Sequence, residues 1–179
     1  GQKINISSLS NLIVIAAGKA APAMAKETEK QLGNLIMKGI CITKYGHAVQ
    51  LNKFQTVEAA HPVPDENSIL AGELVLQAVQ HVSVNDIVLI LLSGGASSLL
   101  ADIPEGCKLE DIQQLSDLLV NSGASIEQIN IVRKHVSSIK GGQLAKSAYP
   151  ATVFTLIISD VPGDDPCSIA SGPTVPDRS

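Results

Sequence analysis

Three continuous apolar runs, each closed by a small-residue loop, constrain this chain more than any other feature. Leu12 to Ala17 is followed by Gly18-Lys19-Ala20-Ala21, Ile87 to Leu92 by Ser93-Gly94-Gly95-Ala96-Ser97-Ser98, and Val153 to Ser159 by Asp160-Val161-Pro162-Gly163-Asp164-Asp165. Short, bulky apolar runs of this kind read as buried strands of a parallel sheet. In an open parallel sheet the loops at the carboxyl ends of the strands line the ligand crevice. Small residues there let backbone N–H groups come close to an anion. With a lysine and an aspartate at the loop tips, the pattern points to a site that handles phosphate.

The rest of the chain alternates between helix and strand signals. Lys19 to Leu32 reads as a helix with Pro22 in its first turn, where proline is tolerated. Gly39 to Thr43 and Thr56 to Ala60 read as strands separated by a loop, Tyr45 to Lys53. Asp65 is a candidate cap for a helix over Glu66 to His81. Leu109 to Asn121 is amphipathic, with Ile112, Leu115, Leu118 and Leu119 at helical spacing. Ser125 with Gln128 predicts a capping box for a second helix carrying Ile129 and Val132. The expected fold is α/β, a Rossmann-like, mostly parallel sheet with helices on both faces. Residues 1–172 are assigned to one large domain. Residues 173–179, with two prolines and no periodicity, read as a linker toward a second domain.

Composition removes several classes of function. The chain has 179 residues, 45% hydrophobic and 17% charged, enough for one substantial core and too apolar for disorder. A net charge of -4 and 2% aromatics argue against a nucleic-acid partner. Cys41, Cys107 and Cys167 are odd in number and far apart, which suits neither a disulfide framework nor a metal-ligand pattern. A reducing cytoplasmic location fits them best. No signal peptide and no apolar stretch near 18 residues is visible, so neither secretion nor a membrane partner is expected.

Several residues could carry chemistry. Lys19 follows Gly18 at a strand-to-helix turn, where a helix start attracts phosphate and a lysine adds a full charge. The spacing is not that of the usual P-loop. Ser93, Gly94, Gly95 and Ser97 offer amides and hydroxyls that could wrap an anion; a plain turn or a serine nucleophile are the other readings. Asp160, Asp164 and Asp165 could serve as general base or Mg²⁺ ligands, or could simply build a turn. Asn130, Arg133, Lys134, His135 and Lys140 form a polar, basic cluster. Arg133 and Lys140 are two helical turns apart and would share a face if one helix ran through both; a solvated basic face is the alternative. His61, before Pro62, reads as structural.

Taken in order, Ala17-Gly18-Lys19-Ala20, Thr43-Lys44-Tyr45-Gly46-His47, Ala60-His61-Pro62-Val63-Pro64-Asp65, Leu92-Ser93-Gly94-Gly95, Asn130-Ile131-Val132-Arg133-Lys134-His135, Ile139-Lys140-Gly141-Gly142, Ser159-Asp160-Val161-Pro162-Gly163-Asp164 and Ala170-Ser171-Gly172-Pro173-Thr174 form a series. The series resembles the type-2 glycerate kinases, the MOFRL-containing glycerate 2-kinase family, and covers nearly the whole chain. Older usage called such proteins hydroxypyruvate reductases. The resemblance implies an ATP- and Mg²⁺-dependent kinase acting on the 2-hydroxyl of D-glycerate, with a Rossmann-like large domain facing a smaller MOFRL domain. It puts the family's catalytic lysine on Lys19 and its catalytic aspartate on Asp160, with an arginine supplied by the second domain. Gly18, Ser93, Gly94, Gly95, Ser97, Arg133 and Lys140 become anion-binding candidates and Asp164 a candidate metal ligand. The family's opening helix and second domain are missing here, so the chain reads as part of the large domain, expected to be inactive alone; a homodimer is left open.

The family's glycines are replaced at Ala16 and Ala96, and Ala96 would be strained if it needed a positive φ. Two rival functions stand beside the kinase. A hydroxypyruvate reductase would need a GxGxxG fingerprint and an acid at the end of the second strand, where this chain has Thr43-Lys44. A sugar-phosphate-binding module without turnover is the other.

Overall fold

A computed structural model of the chain describes residues 11–179. β1 (Leu12–Ala17) lies at the centre of a five-stranded sheet of order β3-β2-β1-β4-β5, with β2 at Ile36–Lys44, β3 at Phe54–Ala59, β4 at Ile87–Ser93 and β5 at Thr152–Ile158. Every pairing is parallel: Val14 stands opposite Gly39 on one side and Leu89 on the other. This is the doubly wound arrangement expected from the sequence.

The helices are α1 (Ala21–Leu32), α2 (Glu66–Val79), α3 (Ala96–Leu99), α4 (Leu109–Asn121), α5 (Ile126–His135) and α6 (Gln143–Ser147), followed by a short 3-10 turn at Ile169–Ser171. Strand alternation sends two sets of side chains to opposite faces. Ile13, Ile15, Ile40, Ile42 and Ile90 pack against Ala71, Val75 and Val79 of α2. Val14, Ala16, Cys41 and Leu91 pack against Ala21 and Ala25 of α1. Burial pushes the Cys41 thiol up to about 12, so it is an inert core group.

Two caps match the sequence reading. The Asp65 carboxylate accepts from the Ser68 N–H, and Ser125 forms a capping box with Gln128. Element ends differ in informative ways. α1 begins at Ala21, because Gly18 to Ala20 are held by the neighbouring strand loop. α2 ends at Val79, not His81. β2 starts at Ile36, earlier than expected, because pairing with β1 carries it through Lys38 and Gly39. β3 likewise starts at Phe54, paired with Gly39.

β5 departs most from expectation. It is the sheet edge, with Leu156 57% and Ile158 54% exposed, so one of its faces is open rather than buried. Edge position, which a single run cannot reveal, is the reason. The condition for strain at Ala96 is not met: Ala96 is the first residue of α3 and lies outside the left-handed region, and Gly95 takes the positive φ of 87°. The segment after Gly172, read as a linker, packs on the body over several residues. Pro173 O accepts from the Ala145 N–H, Thr155 bonds Thr174, and Lys134 pairs with Asp177 at 3.3 Å.

Candidate active site

The chain runs outward from β1 to β3 and returns through α2 to β4 on the other side of β1. The loops after β1 and β4 therefore diverge at a topological switch point, where doubly wound proteins bind ligands. The two loops are tied together at their base. The Lys19 N–H donates to Gly94 O at 2.9 Å, and the Ala20 N–H donates to the buried Ser93 hydroxyl at 3.0 Å. Gly18 completes the tie through its N–H to Ile42 O. Gly18 and Ser93 thus shape the site from beneath, through backbone and one hydroxyl.

Above that tie, the dipeptide Gly94-Gly95 forms a floor. A Cβ on Gly94 would collide with the Asp160 carboxylate, and one on Gly95 would lie 2.9 Å from His61 Cδ2 and 3.3 Å from Lys19 Cε. Only glycine allows both approaches, and Gly95 also needs its left-handed backbone. The result is that Asp160 after β5, His61 after β3 and Lys19 after β1 converge on one spot. Lys19 is exposed at the rim. The Ser98 and Leu99 N–H groups both return to Gly95 O, leaving the N–H groups of Ala96 and Ser97 as the first uncommitted donors of that turn.

The floor opens into a cleft of about 300 Å³ whose far wall is α4, α5 and the segment around Lys140. Ile112 and Leu115 turn part of the apolar stripe of α4 toward it. Arg133 reaches the cleft from α5, and Lys140 from beyond that helix. Their shared-face reading is corrected: α5 stops at His135, and the two cations meet because the chain folds back. Asp102 anchors that return, accepting from the Ser137 hydroxyl and the Ser138 N–H and lying 3.9 Å from Lys140 Nζ. Lys140 also donates to Leu100 O at 3.3 Å.

Burial pushes the Lys140 ammonium down, Asp102 opposes that and Arg133 adds to it. Burial likewise lowers Arg133, which makes no ion pair among the described residues. A half-buried guanidinium without a carboxylate is poorly solvated, and an anionic ligand would restore the missing partner. Ser97 belongs to a neighbouring network: its hydroxyl is 3.0 Å from that of Ser171, which donates to Asn130 Oδ1 at 3.4 Å.

Gly94, Gly95, Ser97, Arg133, Lys140 and Asp160 therefore line one cleft. Asp164 does not. It is exposed, with a φ of 52°, and the described residues contain no group of three His, Cys, Asp or Glu suited to a metal ion. Sequence reasoning passed over Asp102 and misread His61, which lines the cleft rather than serving only the turn before Pro62. Partial desolvation lowers the His61 imidazole below its usual value although the residue as a whole is exposed. The Lys19 and Lys44 cations lower it further, while its own backbone and Asp160 act in the opposite sense. A signal was available: His61 lies just past β3, at the same carboxyl-end level as Lys19 and Asp160.

The family profile described as a domain of unknown function, DUF4147, matches residues 1–179. The D-glycerate 2-kinase of Thermotoga maritima is 51% identical over 173 residues, covering 96% of this chain and 42% of that protein. A relative from Agrobacterium vitis that carries a hydroxypyruvate reductase name is 50% identical over 165 residues, covering 92% of this chain and 38% of its own length. The crystal structure of glycerate kinase from Thermotoga maritima superposes with a TM-score of 0.91 at 50% identity, over 97% of this chain and 42% of that one. The chain thus spans about two-fifths of the length of the curated relatives it matches. With its motif series, its doubly wound sheet and these likenesses in agreement, the chain belongs to the DUF4147 family, whose members include proteins named glycerate 2-kinase.

Proposed function

We propose that the whole protein is an ATP-dependent kinase that phosphorylates the 2-hydroxyl of D-glycerate, giving 2-phosphoglycerate, and that it works in the cytoplasm. The observation that carries this reading is the meeting of Lys19 and Asp160 over Gly94-Gly95, beside a cleft whose Arg133 lacks a carboxylate. Phosphoryl transfer is mostly positioning and charge stabilisation. Asp160 holds the acceptor hydroxyl, as positioning group or general base. Lys19 stabilises charge on the transferring phosphoryl group. Arg133 and the Ser93 to Ser97 loop hold anionic groups, and Lys140 adds charge from beneath.

Mg²⁺, when present, would neutralise phosphate charge as a companion of the nucleotide, since Mg²⁺ takes most of its ligands from phosphates and water. Asp164, exposed and away from the cleft lining, fits poorly as its ligand, and no step is derived through it. A hydride-transfer reading gains nothing here: Lys44 ends β2, where a dinucleotide site uses an acid to hold the ribose.

The test is a coupled assay of the whole protein with D-glycerate and MgATP that separates 2- from 3-phosphoglycerate. The expected product is 2-phosphoglycerate. Exclusive 3-phosphoglycerate, or oxidation of glycerate by NAD(P) without ATP use, would overturn the reading.

A further inference from the structure

The loop after β3 brings a side chain to the reacting centre for which the scheme above has no use. His61 lines the cleft, and its ring leans on the position where Gly95 lacks a Cβ, with Cδ2 at 2.9 Å and Nε2 at 3.1 Å from that point. The Asp160 carboxylate leans on the adjacent Gly94, and Lys19 Cε sits 3.3 Å from the same Gly95 point. Imidazole, carboxylate and ammonium thus face one small volume above two consecutive glycines. No hydrogen bond to another side chain engages the ring among the described residues.

We propose that His61 is a catalytic residue, the group that takes the proton from the acceptor hydroxyl while Asp160 orients that hydroxyl. The inference rests on the kinase reading. In the step, the hydroxyl O–H bond breaks and its proton passes to the free lone pair of the imidazole. The oxygen electron pair forms the new bond to the γ-phosphorus of ATP, and the bond from that phosphorus to the ADP oxygen breaks. The imidazolium then returns its proton to solvent.

Two features suit the ring to this task. An imidazole is a stronger base than a carboxylate, with ordinary values of about 6.5 against about 4. Its surroundings also keep it free to accept. The groups facing it are Lys19 from the β1 loop, Lys44 at the end of β2 and Asp160 beyond β5. Partial desolvation and the two lysines favour the neutral ring, while its own backbone and Asp160 favour the proton it gains. Neutral before transfer and supported after it is the behaviour required of a general base.

The experiment compares the whole protein with its His61→Asn and His61→Gln variants in the glycerate kinase assay, across pH. Asparagine and glutamine keep a donor and an acceptor but cannot hold the proton. kcat is expected to fall about 10²- to 10⁴-fold with little change in KM. The wild-type acid limb, placed below the ordinary imidazole value, should vanish in both variants while their melting temperatures match wild type. A readout independent of turnover follows the His61 ring signals by NMR, which should titrate below the ordinary imidazole value and shift on addition of D-glycerate.

A competent wild-type kinase whose variants keep wild-type kcat, or keep the acid limb, would overturn the role of His61 alone. So would ring signals that ignore D-glycerate. A wild type that transfers no phosphoryl group to glycerate would overturn the kinase reading itself, and the proton-accepting role of His61 with it.

Discussion

At the scale of single residues, the site depends on what is missing from Gly94 and Gly95 as much as on the charges above them. Lys19 and Asp160 are both exposed at loop tips, so truncating either should leave the fold within about 0.5 kcal/mol of wild type. Lys19→Ala and Asp160→Asn in the whole protein should each lower kcat more than they raise KM, because both groups act on developing charge. Steady-state kinetics decide it, and wild-type kcat in either variant would remove that residue from the mechanism. Gly95→Val should do more damage than Ser97→Ala. The valine imposes a side chain at a φ of 87° and against His61, with strain of order 1–3 kcal/mol and blocked ligand approach. The alanine removes only a hydroxyl already spent on Ser171. Ligand titration of the two variants should separate them, and a phosphoryl adduct on Ser93, Ser97 or Ser98 during turnover would replace the anion cradle with covalent catalysis.

At the scale of elements, α2 packs against β1, β2 and β3, and its start tethers the His61 loop. Its Asp65 cap also accepts from the Ala60 N–H and the Tyr45 hydroxyl. Burial works to raise the Asp65 carboxyl, but these hydrogen bonds from Tyr45, Ala60 and Ser68 win and hold it below the usual carboxylate range. A carboxyl lowered on folding contributes stability in full above its unfolded value, and that contribution is lost as pH falls through the lowered folded value. Asp65→Ala should therefore cost about 1 kcal/mol at neutral pH and less in acid, read from urea midpoints at both pH values. A penalty that persists unchanged in strong acid would show that the carboxylate charge contributes nothing. β4 and β5 offer a contrast between neighbours. Leu92→Ala, in the core, should cost about 2–5 kcal/mol, whereas Leu156→Gln on the open face of β5 should change stability by less than about 0.5 kcal/mol. Equal losses in denaturant melts would mean that the β5 face is covered.

At the scale of the whole molecule, a three-layer α/β body brings the loops after β3, β4 and β5 to one cleft, with Lys19 of the β1 loop beside it, and relatives more than twice as long carry further chain. Residues 1–179 alone are expected to show negligible glycerate kinase activity, since the resemblance assigns one catalytic arginine to another domain; loss of one such contact typically costs about 10²–10³ in rate. Near-wild-type turnover by this chain would refute that expectation. The sequence by itself determined the sheet class, both helix caps and the loop positions of Lys19, Gly94, Gly95 and Asp160. These follow from local signals: apolar runs, cap residues, and glycines just past strand ends. The tertiary structure alone decided which strand is an edge, how Arg133 and Lys140 meet without sharing a helix, and that His61 faces Asp160 and Lys19 from a loop about a hundred residues away from the aspartate. Those facts depend on strand order and on the chain folding back at Asp102, and pairings between distant segments leave no periodic trace in the segments themselves.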